Sequence, residues 1–318
     1  MRALVFNGKL RFEMSYPDPS MEEGEALIRV LCVGICNTDL EIVKGYMSYS
    51  GIVGHEFVGV VEDCHDQRWI GKRVVGEINC GCGSCRICQN GIEKHCPERT
   101  VLGIVRRNGV CADYITLPVE NLHMIPDSIA DEEAVFVEPL AAAFRVVEQV
   151  PIASSHKVIV LGDGKLGLLV VQVMQMMRCD LTLIGKHESK LRIAQQQGIA
   201  AAFAEQYKGG KADVVVDCTG SPDGFESALG LTRPEGILIL KSTFAQKANL
   251  NMSPIVVDEM TLIGSRCGPF GPAIDGLARG VIRVKPLVTR IMPFEMGVEA
   301  FGIASQRETL KVLLRVSS

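Results

Sequence analysis

The chain has 318 residues, of which 47% are hydrophobic and 22% are charged, and its formal net charge at pH 7 is −4. This length predicts about two domains that can bury ordinary cores without disulfides. The slightly acidic balance gives no basic surface for nucleic acid, and no uncharged apolar run approaches the ~18 residues that cross a bilayer. We therefore expect a small-molecule partner, and neither a nucleic-acid nor a membrane partner.

The first residues, MRALVFNGKLRFEM, contain Arg2, Lys9 and Arg11 and lack the apolar core of a secretory signal. This predicts a cytoplasmic protein. In such a reducing compartment clustered cysteines are more often metal ligands or reactive thiols than disulfides. The twelve cysteines of the chain therefore call for a chemical explanation.

The segments VGICNTDLEIVKG and GHEFVGVV contain the candidates for a catalytic metal site. Cys36, His55 and Glu56 offer sulfur, nitrogen and oxygen, the mixed ligand set that a catalytic zinc tolerates. Thr38 and Asp39 put a hydroxyl and a carboxylate beside the cysteine. Taken alone the cysteine and histidine are a weak signal, because ordinary core or surface residues are the alternative interpretation.

A dense cysteine cluster, NCGCGSCRICQNGIEKHC, follows at residues 79–96. Four of its cysteines have the spacing C-x2-C-x2-C-x7-C, which predicts a closed tetrahedral zinc site: Cys82, Cys85, Cys88 and Cys96. Iron–sulfur ligation is one alternative, but its usual runs of cysteines have a different spacing. A thioredoxin-like dithiol is another, but that motif lies at a helix start inside a βαβ unit and needs only two cysteines. Four thiolates leave no open coordination position, so this lobe, about residues 80–96, would stabilise the fold and would not catalyse. Cys80 is then a spare thiol.

The second half of the chain has a different pattern. A β-branched run, KVIVL at 157–161, leads into GDGKLG, an apolar helix-like stretch and a second strand-like run at 181–184. Strand, glycine-rich turn, helix and strand is the order of a dinucleotide-binding unit, in which the pyrophosphate approaches the helix N-terminus. The residues of this turn predicted to bind the cofactor are Gly162, Gly164, Lys165, Leu166 and Gly167.

Further strand-like runs at 213–217 and 236–240 alternate with helix-compatible segments. This alternation predicts an α/β domain with a doubly wound parallel sheet. Thr219 and Gly220 follow the first of these runs. Since ligands bind at the carboxyl ends of such strands, we expect both residues to contact the cofactor.

The segment LIGKHESK after the second strand bears on which dinucleotide binds. NAD-binding units carry an acidic residue about twenty positions past the first glycine, where it accepts hydrogen bonds from the ribose hydroxyls. Here that position is Gly185, and Lys186, His187 and Lys190 are close by. The absence of an acid at position 185 and the presence of basic residues close by favour NADP over NAD, because basic side chains bind a 2′-phosphate. The alternative is a solvated loop with ordinary basic residues.

Taken together, the chain resembles the zinc-dependent medium-chain dehydrogenase/reductase family, which includes alcohol, sorbitol, threonine and glucose dehydrogenases. The resemblance covers nearly the whole chain through GICNTDL, GHEFVGVV, GKRVVGE, the four-cysteine lobe, VEPLAAA, GDGKLG, DCTGS and KVLL, in that order. It implies a GroES-like, mostly β catalytic domain from residues 1–139 and 267–318. A Rossmann nucleotide-binding domain would occupy residues 140–266, with the active site in the cleft between the two domains.

The resemblance also implies an activity and a set of ligands. The protein would be a zinc-dependent oxidoreductase that transfers a hydride between NAD(P) and a secondary alcohol, a polyol or a related alcohol/carbonyl pair, with two Zn²⁺ per chain. Cys36 and His55 would bind the catalytic zinc. Glu138 of VEPL stands where the family has its third ligand or a partner of the zinc-bound water. Glu56 would be either a direct ligand or a close neighbouring carboxylate.

By the same resemblance, Thr38 would hydrogen-bond the substrate oxygen and begin a proton relay, and Asp39 would orient the histidine ligand. Glu41 replaces a histidine that often ends this relay, so the proton would leave through a carboxylate or directly to water. Lys311 of the closing KVLL is assigned to the cofactor site. The loops that wall the substrate pocket in relatives are short here, so the resemblance does not transfer a particular substrate.

Two other interpretations remain open. Within the enzymes, a biosynthetic carbonyl reductase of the same family is the alternative to an alcohol dehydrogenase. Outside them, the chain would be a catalytically inactive dinucleotide-binding protein, against which the full set of site residues argues. It could also be a redox-sensing protein, against which the apolar surroundings of the spare cysteines argue. The resemblance further implies a homodimer or homotetramer.

Overall fold

The computed structural model describes residues 1–243 and 250–317. The chain forms two compact units, one built from Met1–Glu138 and Ala273–Ser318 and the other from Pro139–Pro272. The sequence prediction ended the nucleotide-binding domain a few residues earlier, at 266. The second unit is therefore an insertion in the first.

The strands of the described residues are, in chain order, β1 Ala3–Phe6, β2 Leu10–Glu13, β3 Glu25–Gly34, β4 Gly51–Ile52, β5 Glu56–Cys64, β6 Arg73–Gly76, β7 Asn79–Cys80, β8 Thr100–Leu102, β9 Arg106–Arg107, β10 Tyr114–Pro118, β11 Leu122–Met124, β12 Lys157–Leu161, β13 Asp180–Gly185, β14 Ala200–Phe203, β15 Ala212–Asp217, β16 Thr232–Leu240, β17 Thr261–Gly264, β18 Val288–Pro293 and β19 Lys311–Arg315. The α-helices are α1 Asn37–Ile42, α2 Arg86–Gln89, α3 Asp131–Ala134, α4 Val137–Gln149, α5 Lys165–Gln175, α6 Glu188–Gln196, α7 Pro222–Leu231, α8 Ser253–Val257, α9 Phe270–Ala278 and α10 Gly297–Ala304.

The first unit is mostly β and is organised around β3. Its main sheet has the order β11-β6-β5-β3-β19-β18, with β10 also paired to β3. The sequence EALIRVLCVG of β3 is almost wholly buried, because neighbouring elements cover both of its faces. At its end, Gly34 pairs with both Glu56 of β5 and Leu313 of β19. This register brings the start of β5 and the C-terminal strand to the same place.

A separate small sheet has the order β7-β8-β9. The cysteine cluster is the excursion between β7 and β8, and it contains the short helix α2 and a 3₁₀ turn at Glu93–His95. So short a segment has little apolar surface of its own to bury. A covalent or metal tie is therefore expected to stabilise it.

The second unit confirms the predicted doubly wound parallel sheet. Its six strands are all parallel and have the order β14-β13-β12-β15-β16-β17, with helices in the connections. The KVIVL run is β12 and is nearly fully buried, as expected for a central parallel strand. Phe225 and Leu229 of α7 pack on residues of the sheet, in a core cluster with Ile159 and Val215. The order reverses at β12 and β15, where a ligand site is expected at the carboxyl edge.

Over the ranges that the structure describes, none of the helices combines the length and apolar character needed to cross a membrane.

Candidate active site

Three potential metal ligands converge at the start of α1 and β5. Cys36 is the N-cap residue of α1, directly after β3 and Ile35. Because Gly34 pairs with Glu56, the residues on either side of these positions meet. The ligand atoms of Cys36, His55 and Glu56 all lie within 4.8 Å of one another. His55 and Glu56 lie nineteen and twenty positions after Cys36 in the sequence. The pairing of β3 with β5 brings them close to it.

Asp39 ties two members of this cluster together. One of its oxygens accepts a hydrogen bond from the backbone N–H of Cys36 at 2.8 Å, and the other lies 2.9 Å from Nδ1 of His55. An ionised carboxylate only accepts, so Nδ1 carries the proton and Nε2 is left for a metal. Burial lowers the pKa of His55, but the negative charges of Asp39 and Cys36 outweigh burial and raise it. These negative charges therefore favour a cation beside the imidazole, and a metal at Nε2 would supply it in place of a second ring proton.

Glu56 is buried and makes an ion pair with Lys311, the first residue of β19. The side chains of both residues are at most 1% exposed. Burial lowers the pKa of Lys311, but the charge of Glu56 more than offsets this and raises it. The ammonium group also lies 5.5 Å from the ring centroid of Phe136. The sequence analysis predicted that Lys311 contacts the cofactor. In the structure its ammonium group pairs with the carboxylate of Glu56.

The second oxygen of Glu56, Oε1, is buried and has no hydrogen-bond partner among the described residues. A buried carboxylate oxygen without a partner is unfavourable by about 1–3 kcal/mol or more. A cation beside it would remove this penalty. With a thiolate and an imidazole nitrogen within 4.8 Å, the donor set fits zinc in its softness, charge and number of ligands.

Of three further predicted site residues, one lies beside a member of this cluster and two form no part of it among the described residues. Thr38 Oγ1 lies 3.9 Å from Cys36 Sγ. Glu41, one turn later on α1, makes a surface ion pair with Lys44 at 2.8 Å. Glu138, in the first turn of α4, is half-buried and does not join the cluster of ligand atoms defined over the described ranges.

The four cysteines of the lobe also converge. The thiols of Cys82, Cys85, Cys88 and Cys96 all lie within 4.8 Å of one another, and the closer sulfur pairs are 3.6, 3.7 and 4.0 Å apart. A zinc with Zn–S bonds of about 2.3 Å sets its sulfurs about 3.8 Å apart in a tetrahedron. Hydrogen bonds from the Ser84 hydroxyl and then the Cys85 backbone N–H lower the pKa of Cys82 to about 6. The neighbouring Cys80 is buried in β7 and is not a member of this set.

In the second unit, the glycine-rich turn joins β12 to α5, which begins at Lys165. A Cβ on Gly167 would collide with the carbonyl of Gly162, so the third glycine permits this close turn. A Cβ on Gly164 would meet no described atom within 4 Å. The backbone at this second glycine is therefore open to a ligand, at the N-terminus of α5.

The residues predicted to recognise the adenosine ribose lie at the end of β13 and the start of α6. Lys186 is exposed, His187 is half-buried and Lys190 is buried. Sequence reasoning missed a neighbour of these bases. Asp163, inside the glycine-rich turn, accepts hydrogen bonds from the backbone N–H groups of residues 186 and 187 and lies 3.0 Å from His187 Nδ1. The signal in the sequence that could have identified Asp163 is its position as an acidic residue between the first two glycines of the turn.

The DCTG segment at the end of β15 forms a tight turn. Both the backbone N–H and the hydroxyl of Thr219 donate to the Asp217 carboxylate, at 2.9 and 2.7 Å. Gly220 follows with a positive φ of 68°. Burial raises the pKa of Asp217, with these bonds opposing it. The turn lies at the carboxyl edge of the sheet, where the dinucleotide was expected.

Comparison with known proteins agrees with this arrangement. Residues 22–127 match the family described as alcohol dehydrogenase GroES-like domain, and residues 166–278 match the family described as zinc-binding dehydrogenase. The chain is 30% identical to an erythritol/L-threitol dehydrogenase of Mycolicibacterium smegmatis, over 99% of this chain and 97% of that protein. A crystal structure of the alcohol dehydrogenase rspB from Escherichia coli CFT073, with NADH, has a TM-score of 0.90 at 26% identity and 99% coverage of both chains. A zinc-binding dehydrogenase from Sinorhizobium meliloti 1021, bound to NADP, has a TM-score of 0.88 at 25% identity and the same coverage.

The chain belongs to the zinc-dependent medium-chain dehydrogenase/reductase family. This membership confirms the predicted fold class, a GroES-like domain with a Rossmann domain. It also confirms the predicted class of activity, an oxidoreductase that acts on CH–OH groups with zinc and a nicotinamide cofactor.

Proposed function

We propose that this protein is a dehydrogenase of secondary alcohols and polyols with a catalytic zinc in the first unit. The observation that carries the proposal is the cluster of half-buried Cys36 with buried His55 and Glu56, in which one carboxylate oxygen has no partner among the described residues. The similarity to an erythritol/L-threitol dehydrogenase supports a polyol substrate. Zinc in this cluster would supply Lewis-acid polarisation of the alcohol oxygen, and a nicotinamide would supply the hydride acceptor.

The proposed ligand atoms are Cys36 Sγ, His55 Nε2 and Glu56 Oε1. Asp39 keeps the proton on Nδ1 of the histidine and so holds the other ring nitrogen unprotonated for the metal. We assign the carboxylate ligand to Glu56 because one of its oxygens lies within 4.8 Å of the other two ligand atoms and its Oε1 has no hydrogen-bond partner among the described residues. Glu138, outside the cluster, would act on the water or substrate side.

The proposed proton path begins at Thr38. Its hydroxyl would accept the proton of the substrate alcohol at Oγ1 and release its own, because a hydroxyl can do both. α1 carries this residue between the cluster and the surface, where Glu41 pairs with Lys44. A proton that leaves Thr38 would therefore reach solvent or the surface carboxylate within one helical turn.

We further propose a second zinc per chain, bound by the cysteine lobe. The sulfur spacing supports a closed site that stabilises the lobe and takes no part in turnover. All twelve cysteines lie within the described residues, and none of them is in a disulfide. This thiol content supports the predicted cytoplasmic location, because reducing conditions preserve thiolate ligands.

For the cofactor we propose NADP over NAD. Lys186 is exposed and His187 is half-buried at the end of β13, and position 185 carries no acid. A preference for NADP would favour carbonyl reduction in the cell, so the reductase direction is the second candidate. The two directions share one transition state and one set of residues.

The test is a screen of the purified protein with erythritol, threitol, sorbitol and simple secondary alcohols, each with NADP⁺ and with NAD⁺. We expect reduced cofactor to form with at least one polyol, to disappear after dialysis against a chelator and to return with zinc. Metal analysis should find two zinc ions per chain. Full turnover in the chelated protein would contradict the proposal. A zinc-loaded protein that turns over none of the alcohols would also contradict it.

We also propose that the second unit pairs with a copy of itself in a homodimer. β17 is an edge strand of the six-stranded sheet. In the adjacent α8, Val256 and Val257 are 76% and 78% exposed. Exposed apolar side chains beside an open strand edge are typical of an interface.

Replacing Val257 with aspartate should therefore convert a dimer into a monomer, because a charge would be buried at the interface. Analytical ultracentrifugation measures the change in mass. Val298→Asp, at an exposed valine of α10 in the first unit, is the control and should leave the mass unchanged. A wild-type protein that is monomeric at micromolar concentration would contradict the assignment.

A further inference from the structure

An acidic residue lies inside the glycine-rich turn, and the function proposed above does not use it. Asp163 stands between Gly162 and Gly164. A Cβ built on Gly185 would lie 2.6 Å from the carboxyl carbon of Asp163, closer than real Cβ atoms approach. The carboxylate therefore fills the space that a side chain at the end of β13 would occupy. In NAD-binding Rossmann units that side chain is an acid that accepts hydrogen bonds from the ribose hydroxyls.

The hydrogen bonds of Asp163 differ from those of a ribose-binding acid. Oδ2 accepts from the backbone N–H groups of Lys186 and His187, both at 2.7 Å. Oδ1 lies 3.0 Å from His187 Nδ1. Burial raises the pKa of Asp163, but these bonds outweigh it and hold the pKa below its usual range. The group is thus an ionised acceptor whose lone pairs are directed at the loop after β13.

Exposure separates the acid from the bases. The Asp163 side chain is 8% exposed, whereas that of His187 is 32% exposed. Lys186 is exposed as well. Because Nδ1 of the histidine faces a carboxylate, it carries a proton, and Nε2 is the ring atom left for a ligand. In the imidazolium form Nε2 also carries a proton and can donate it to a phosphate oxygen. The carboxylate lies beneath the loop, and the two bases lie on its solvent side.

We propose that Asp163 is a positioning residue for dinucleotide recognition, which holds the Lys186–His187 loop so that its two bases bind the 2′-phosphate of NADP. The proposal rests on the NADP preference proposed above. It explains why residue 185 is glycine, since any side chain there would displace the carboxylate. It also explains how an acid can lie at the ribose end of the site without repelling a phosphate, because its charge is met by two N–H groups and an imidazole.

The first experiment compares Asp163→Ala with the wild-type holoenzyme by fluorescence titration with NADPH and with NADH. Losing the positioning of a charge-assisted contact should weaken NADPH binding by about 10- to 100-fold. NADH binding should change by less than about threefold, because NADH has no 2′-phosphate. Asp180→Ala, at the exposed first residue of β13, is the matched control and should change neither affinity. Asp163→Asn, which keeps the size of the side chain, serves if the alanine variant does not fold.

The second experiment moves the carboxylate. Gly185→Asp alone should lower the melting temperature and weaken both cofactors, because two carboxylates would compete for one space. The double variant Asp163→Gly with Gly185→Asp should fold, because glycine at 163 also removes the Cβ that would lie 2.5 Å from a Cβ at 185. It should bind NADH at least about tenfold more tightly than NADPH, since the acid then stands on β13 as in NAD enzymes.

Three outcomes overturn the proposal. If Asp163→Ala weakens NADH binding and leaves NADPH binding unchanged, the carboxylate accepts hydrogen bonds from the ribose hydroxyls directly. If it weakens both equally, the residue only maintains the fold. If the wild-type protein itself prefers NADH, the preference for NADP fails before any variant is made. Alcohol oxidation by Asp163→Ala at saturating cofactor, with unchanged zinc content, tests the proposed dehydrogenase function separately from the positioning role.

Discussion

Replacing Cys36 with serine should lower the turnover of alcohol oxidation at least about a thousandfold, because the Lewis-acid contribution of a catalytic metal amounts to several kcal/mol and each 1.36 kcal/mol is tenfold in rate. A serine hydroxyl is a poor substitute for a thiolate ligand of zinc. The variant should retain the lobe zinc, so metal analysis should find one zinc fewer per chain. Binding of NADPH should be unchanged, because the glycine-rich turn belongs to the second unit.

The control for this variant is Cys64→Ala. Cys64 is a buried thiol at the far end of β5, the strand that begins with Glu56. Its removal leaves the metal cluster intact and should change turnover by less than about threefold, with a loss of stability of about 1 kcal/mol. A Cys36→Ser protein that keeps wild-type turnover and both zinc ions would remove this residue from the active site.

The second large effect is expected at Lys311. Lys311→Met should destabilise the metal-free protein by about 3–5 kcal/mol, because breaking a buried pair leaves an uncompensated charge on Glu56. In the zinc-loaded protein the loss should be smaller, because the cation compensates the same carboxylate. By linkage, the variant should bind the catalytic zinc more tightly than the wild type does.

Urea unfolding of the chelated and the zinc-loaded protein measures both stabilities, and competition with a chromogenic chelator measures the zinc affinity. Lys44→Met is the matched control, since Lys44 makes an exposed ion pair with Glu41. Its effect should not exceed about 1 kcal/mol in either form. Equal destabilisation of the chelated and loaded forms by Lys311→Met would show that Glu56 does not face the metal.

Much of the second unit followed from the sequence. The runs KVIVL and DVVVD became β12 and most of β15, and α5 begins within GDGKLG. These features are local, since a β-branched run between turn residues favours a buried strand, and the glycine spacing reflects a turn of only a few residues. The four-cysteine lobe is similarly local, because its ligands lie within one short segment.

The metal cluster was less accessible from sequence. Cys36, His55 and Glu56 could be chosen as candidates from their residue types and from the family resemblance. Their mutual distances depend on the register of β3 with β5, and a shift of one residue would turn each side chain to the other face. The choice between Glu56 and Glu138 could not be made from residue types, because both are carboxylates with the chemistry that zinc accepts.

The sequence by itself determined the family, the α/β class, the cysteine tetrad and the glycine-rich turn, because each depends on spacing along the chain. Only the tertiary structure decided the partners of the buried charges. Glu56 and Lys311 are 255 positions apart, and the carboxylate of Asp163 lies against Gly185 at the end of β13. An ion in a low-dielectric interior requires a counter-charge within a few ångströms, and the packing of the strands selects which residue provides it.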